Sequence, residues 1–377
     1  MNLFPDYQLG HFQQELGPYA QLNMGASAPE PISLAELLSM ASQEERACWE
    51  KLSLDYASSL GADYLREQIA FLYPGLEAKH ILTFAGAQEA IFSVYHALLS
   101  PGDRLHVIRP LFEPLEIVAV GIGAQVSHTV LEVDKENRWQ LDLDAWLEGL
   151  STDAAIATIN FPHNPTGMMI GNADRQRIIN ACQETETWLF SDEVFRGLEH
   201  EPGDKLVPVA SLYEKGISMG VVSKMFGFGG VRVGWVACQD ESLMASLIEI
   251  KRFLSICNGQ PDELLAAIAL RNADPLQLKI VKKLRSNVEL IEKHLPSQAD
   301  RDVLINWIRP QAGCVAYPQI GAQQSGADFA AKLVKHCGVL VVPGNCFLSG
   351  EKHFRLGFGR NNFAQAFDGF MDFLEQA

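Results

Sequence analysis

The chain contains no CxxC pair, no HxH or HxxxH pair, and no uninterrupted apolar run of membrane-spanning length. Its seven cysteines (Cys48, Cys182, Cys238, Cys257, Cys314, Cys337 and Cys346) are odd in number and widely scattered. They read as reduced thiols of a cytoplasmic protein, not as a disulfide framework. The ten histidines lack the spacing of a metal site, so none is expected. The opening residues MNLFPDYQLG carry no basic stretch leading into an apolar one and do not read as a secretory signal. Cations are scarce: 30 Lys and Arg stand against 46 Asp and Glu, a net charge of −16. Such a chain repels nucleic acid and anionic membranes, which leaves small molecules as the expected partners. There is no internal repeat and no low-complexity tract.

What is present is 377 residues, 47% of them hydrophobic, enough to bury a large core. Apolar runs at 81–86, 104–110, 154–162, 188–194, 216–223 and 234–239 read as buried strands. Helical stretches at 88–99 and 172–184 lie between them. This alternation predicts an α/β fold with a mostly parallel sheet covered on both faces. After residue 260 the pattern changes. Leu276, Ile280, Leu284, Val288, Ile291 and Leu295 recur at helical spacing and predict one long helix. The expected organisation is a large domain over 46–270, a smaller α+β domain over 271–377, and a segment 1–45 packed on the smaller one.

Ligands of open α/β sheets sit at the carboxyl ends of the strands. Five unusual clusters fall at those ends: FAGAQEA, RPLF, NFPHNPTG, SDEVFRG and GVVSKMFGFGGVRVGW. Each is ambiguous alone. The first is a small-residue turn opening a helix, which suits a phosphate but is also an ordinary tight turn. Asp192 ends an apolar strand, so burial would demand a cation or an N–H donor beside it. Lys224, if desolvated, becomes a neutral nucleophilic amine.

Together with YASSLGADYLR (56–66), VVPGNCF (341–347) and FRLGFGR (354–360), these clusters resemble the class I/II aminotransferases. Those are fold type I enzymes that use pyridoxal 5′-phosphate (PLP). The resemblance runs from about Tyr56 to Arg355. It implies a seven-stranded sheet in the large domain and a small domain formed by both chain ends. It also implies catalysis by Lys224, as the Schiff-base lysine, and by Asp192, paired with the pyridinium nitrogen. Asn164 would contact the ring 3-hydroxyl and Phe112 would stack on the ring. Ala87, Gln88, Ser223 and Arg232 would hold the phosphate. Arg355 and Gly25 would meet the substrate, with Asn164 beside them. Tyr56 would reach the phosphate of a partner subunit, making a homodimer the active unit. The expected partners are an α-amino acid and, for amino exchange, a 2-oxo acid.

Two positions depart from the family pattern. Phe195 stands where many members carry a tyrosine that donates to the ring oxygen, so the lysine-bound cofactor is expected to keep its proton to higher pH. Val221 replaces a phosphate-binding serine, leaving other donors to do more. The N-terminal segment, with Phe4, Tyr7, Phe12 and Tyr19 before LNMGASAPEPISLAELL, is similar to a subgroup that includes capreomycidine synthase-like enzymes. That similarity keeps a PLP-dependent lyase or cyclase open as the alternative to an aminotransferase. His11 and Glu15 read as exposed positions of an amphipathic opening helix, with acid–base roles as the other reading. A transcriptional sensor is not expected, because the chain is strongly acidic, shows no basic helix-turn-helix pattern and carries both Lys224 and Asp192. The glycines of GFGGVRVG do not fit a nicotinamide fingerprint.

Overall fold

The computed structural model describes residues 5–150, 153–201, 203–295, 304–321 and 324–376. Phe4, noted above for its aromatic character, lies outside them. Seven strands form the large sheet: β1 (Ile81–Phe84), β2 (Arg104–Arg109), β3 (Gln125–Val130), β4 (Ala154–Asn160), β5 (Trp188–Asp192), β6 (Gly216–Val221) and β7 (Gly234–Cys238). Their order is β1-β7-β6-β5-β4-β2-β3. β7 runs antiparallel to both its neighbours, and the other neighbouring pairs are parallel.

Six of these strands coincide with the apolar runs read from the sequence, each one or two residues shorter at its carboxyl end. β3 does not coincide with any run. It lies at one of the two sheet edges, its sequence is QVSHTV, and only Thr129 within it is buried. A strand covered on one side needs no continuous apolar run, so the hydrophobic signal is absent there. Helices Ala87–Leu98, Pro114–Ile122 and Glu241–Phe253 share one apolar cluster with the sheet, around Leu82, Val107 and Val236. Helix Asn172–Glu184 packs on the opposite face with Ile156's neighbours Ala157 and Ile159.

The expected long helix is Ala273–His294, with Leu276, Leu284, Val288 and Ile291 buried along one stripe. Beyond it, Val315–Ala316, Phe354–Gly357 and Val342–Pro343 form a small antiparallel sheet. Helices Gly326–Cys337 and Phe363–Gln376 cover it through a core of Phe329, Phe354, Phe367 and Phe370. The N-terminal strand Leu22–Asn23 pairs in parallel with Val339–Leu340, and Met24 is buried in the same core. Residues 1–45, expected as one segment on the smaller domain, divide in the structure. Those near Leu9, Leu16 and Met24 pack on the C-terminal elements. Helices Leu34–Ser39 and Gln43–Glu50 instead lie on helix Gln260–Arg271 of the larger body, where Arg271 makes a two-point ion pair with Glu45.

Candidate active site

The parallel strands deliver their carboxyl ends to one edge of the sheet. There Asn160, the last residue of β4, pairs in register with Asp192, the last of β5. The Asn160 amide donates to the Asp192 carbonyl (2.8 Å), and its Oδ1 accepts from the Asn164 N–H (2.9 Å). One side chain thus fixes the positions of both Asp192 and Asn164. The Asp192 carboxylate receives the Val194 N–H (3.1 Å) and is buried. Burial pushes its pKa up to about 7, against the opposing influences of that N–H and of Lys224. A carboxylate so desolvated is suited to a protonated ring nitrogen.

Lys224 sits on the one-turn helix Val222–Met225 that follows β6. Its Nζ donates to Ser27 Oγ at 2.7 Å. Desolvation first, then the positive charge of Arg355, bring its pKa down to about 8. The amine therefore has a sizeable neutral fraction near neutral pH, which a nucleophile or base requires.

Opposite, the chain leaves β1 through Gly86, whose φ of +93° is a conformation glycine adopts freely. Helix Ala87–Leu98 begins there with no side-chain cap, so its first N–H groups are available to an anion. Arg232 lies across this turn and donates to Ala85 O (3.1 Å) and Gly229 O (3.0 Å). A side chain at residue 86 would collide with its guanidinium, and one at Gly234 would come within 2.8 Å of the Gly86 carbonyl carbon. Arg232 itself holds φ +50°, a rarely populated backbone state for a non-glycine residue. Asn258 braces this cradle from behind, donating to Phe84 O (2.8 Å) and Arg232 O (3.2 Å). It also accepts from the buried Lys251 Nζ at 3.0 Å.

Arg355 enters from the small antiparallel sheet and is buried. Its Nη1 donates to Asn164 Oδ1 (3.0 Å) and its Nη2 to Gly25 O (2.7 Å). Its Nε is buried without a partner. The Phe347 ring lies 4.9 Å below the guanidinium carbon. Burial lowers the Arg355 pKa to about 10, and the guanidinium stays charged at neutral pH. An orphaned N–H on a buried guanidinium is a place for a carboxylate.

Gly25, Ala87, Gln88, Phe112, Asn164, Asp192, Ser223, Lys224, Arg232 and Arg355 all line one cavity of about 650 Å³. Tyr56 does not line it. It is 76% exposed on the surface. Val221 faces the same cavity with a buried, apolar side chain. Phe195 is fully buried outside it, with its ring against Gly313. His11 and Glu15 are exposed on helix Gln8–Leu16 and do not line the cavity.

Several lining groups escaped the sequence reading: Tyr7, Gln13, Ser27 and Arg360. Tyr7 and Arg360 lie in segments already singled out, but nothing local assigns any of the four to the cavity, because their positions depend on how both chain ends fold across the sheet edge. Glu113 is a further case. It is fully buried beside Phe112 and accepts from the N–H groups of Gln8 (3.1 Å) and Leu9 (2.8 Å). It thereby caps the N-terminal helix, whose own N-cap residue Tyr7 supplies no side-chain bond.

An anion cradle, a buried carboxylate, a desolvated lysine and an arginine with an open N–H face fit PLP bound beside a carboxylate substrate. With the seven-stranded sheet they define a fold type I PLP-dependent enzyme of amino-acid chemistry. The chain belongs to the aminotransferase class I and II family, whose profile matches residues 39–364. It is 29% identical over 300 residues to capreomycidine synthase of Streptomyces vinaceus, covering 80% of this chain and 75% of that one. It is 27% identical to an arginine–pyruvate transaminase of Pseudomonas aeruginosa, covering 80% and 77%. Among solved structures, a PLP-dependent aminotransferase from Streptococcus suis superposes with a TM-score of 0.91 at 24% identity, covering 100% and 99%. The PLP-dependent cyclase OrfR superposes with 0.88 at 25% identity, covering 99% and 97%.

Proposed function

We propose that the protein is an aminotransferase acting on an α-amino acid, with Lys224 as its Schiff-base lysine. The observation that carries this reading is the placement of a lysine with pKa near 8 in one cavity with Asp192 and the half-satisfied Arg355. PLP, when bound, supplies an electron sink for the substrate's α-carbon. Asp192 holds the proton at the ring nitrogen. Ala87, Gln88, Ser223 and Arg232 hold the phosphate, and Phe112 stacks on the ring. Asn164 serves both the ring oxygen and Arg355. Arg355 grips the α-carboxylate through its free N–H face while Gly25 shapes the substrate's bed. Ser27 accepts from the Lys224 amine and would orient it, and that amine would serve as the base for the substrate's α-proton.

The active unit is proposed to be a homodimer. Leu54 and Phe253 are each 89% exposed, and Tyr56 and Ile256 are exposed as well. The Gln260 side chain donates to Asp55 O at 2.9 Å and ties the two segments together. An apolar patch of this kind needs a covering surface, and Tyr56 would cross with it to the partner's phosphate. A domain limit near residue 270 and a cytoplasmic location belong to the same proposal. The seven unpaired cysteines support the latter.

A PLP-dependent lyase or cyclase is the second reading, supported by the likeness to capreomycidine synthase and to the cyclase OrfR. The absorbance spectrum separates them. Purified protein supplied with PLP is expected to show the band of lysine-bound cofactor, and Lys224→Ala to lack it. An amino acid added without a 2-oxo acid should convert that band stoichiometrically to the amine form of the cofactor. Return of the band with release of ammonia or a cyclised product would favour the second reading. Absence of any band after incubation with PLP would overturn both.

A further inference from the structure

The cavity is lined by four cationic side chains, Lys224, Arg232, Arg355 and Arg360, and by one carboxylate, Asp192. The proposed chemistry accounts for all but one. The phosphate takes Arg232, the ring nitrogen takes Asp192, the α-carboxylate takes Arg355, and Lys224 is joined to the cofactor. Arg360 is left over.

The structure shows why Arg360 is uncommitted. It ends the FRLGFGR segment just past strand Phe354–Gly357 and is half-buried. Among the described residues, its guanidinium makes one hydrogen bond, a 3.5 Å contact from Nη1 to Pro29 O. Among the described residues no carboxylate lies within ion-pair distance of it. The nearby Glu30 carboxylate is taken by the Asn361 N–H (3.0 Å), and the Glu30 N–H is taken by Gly359 O (2.9 Å). Gly359 lies so close to Ala28 that a side chain there would come within 2.8 Å of the Ala28 carbonyl oxygen. That close packing holds Arg360 against the 25–30 segment, the wall that also carries Ser27 and its bond to Lys224. The Arg360 charge is felt at Lys224 and at Cys314. A guanidinium that faces a ligand cavity and lacks an internal counter-ion is built for an anion supplied from outside.

Resting on the amino-acid reading above, we propose that Arg360 binds a second anionic group of the substrate. The enzyme's substrate class is then the dicarboxylic amino acid, with the dicarboxylic 2-oxo acid as its exchange partner. Arg355 holds the α-carboxylate and Arg360 the distal one. The same cation repels a substrate with a guanidinium side chain, so arginine, for which one relative is named, is disfavoured here.

The test uses the PLP-loaded enzyme and inert acids, read by the absorbance change of the bound cofactor or by calorimetry. Succinate and glutarate are compared with propionate and butyrate in wild type, Arg360→Gln and Arg360→Lys. Wild type is expected to bind the better dicarboxylate about 100-fold more tightly, the worth of one desolvated charge pair. In Arg360→Gln that gap closes while the monocarboxylate constant changes less than about threefold, and Arg360→Lys restores part of the gap. Equal binding of both classes by wild type, or a gap that survives Arg360→Gln, overturns the proposal. So does a fall in monocarboxylate binding as large as the dicarboxylate loss, because Arg360 would then support the cavity as a whole. The acids are not turned over, so a dicarboxylate preference in an enzyme that converts no amino acid would sink the aminotransferase reading and leave the Arg360 site standing.

Discussion

Asp192 illustrates how a residue proposed to hold the proton of a cofactor ring nitrogen weakens the protein that carries it. Its folded pKa, about 7, lies above the 3.8 of an unfolded aspartate. The folded state therefore binds the proton more tightly. The cost of ionisation is absent below about pH 4, grows from there to pH 7, and is full above it. Without cofactor, Asp192→Asn is expected to be more stable than wild type at pH 8 by a few kcal/mol, on the order of the shift itself. The gap should shrink towards zero near pH 4, and denaturant titrations of the two apo proteins at both pH values would check it. With PLP bound, the pyridinium relieves the wild-type carboxylate and the asparagine loses its advantage. A gap that ignored pH would mean that the carboxylate is not desolvated.

Among the elements, helix Gln8–Leu16 is capped by a distant side chain. Glu113 satisfies two of its opening N–H groups from the loop that also carries Phe112. The helix supplies Leu9, Gln13 and the neighbouring Tyr7 to the cavity wall. Burial and the Glu113 charge raise the Tyr7 phenol pKa, so Tyr7 is a neutral donor throughout the working pH range. Glu113→Ala is expected to cost about 1–2 kcal/mol of local stability, the usual price of a lost cap. Hydrogen exchange should accelerate over residues 8–16 while the amides of β4, β5 and β6 keep their protection. Substrate KM should rise more than the cofactor dissociation constant, because the helix walls the substrate end of the cavity.

The whole molecule is expected to work as a pair. Phe253→Glu, at a highly exposed apolar side chain, should shift sedimentation from dimer to monomer. It should also weaken PLP binding about tenfold or more if Tyr56 crosses to the partner. Tyr56→Phe should stay dimeric and lose only the phenol's share of that affinity, roughly 1–2 kcal/mol. A stable monomer with full cofactor affinity would remove the dimer from the proposal. The strong acidity of the chain, −16 overall, keeps such assemblies soluble and contrasts with the four cations gathered in the cavity.

The sequence by itself determined the large sheet and picked out ten of the residues that line the cavity. Strands buried on both faces must be apolar throughout, so six of seven announced themselves as runs. The loops at their ends carry residue types that packing does not require, and Lys224, Asp192 and Asn164 stood out for that reason. The polar edge strand Gln125–Val130 gave no such signal, because half of it faces water. Only the tertiary structure decided which distant residues share the cavity. Ser27 reaches Lys224 across 197 positions and Gly25 reaches Arg355 across 330. It also decided that Glu113 would cap a helix about a hundred residues away, and that Arg360 would face the cavity without a counter-ion. Hydrophobic period and turn chemistry are local and can be read along the chain. Burial, charge neutralisation and the pairing of a guanidinium are properties of neighbours that only folding brings together.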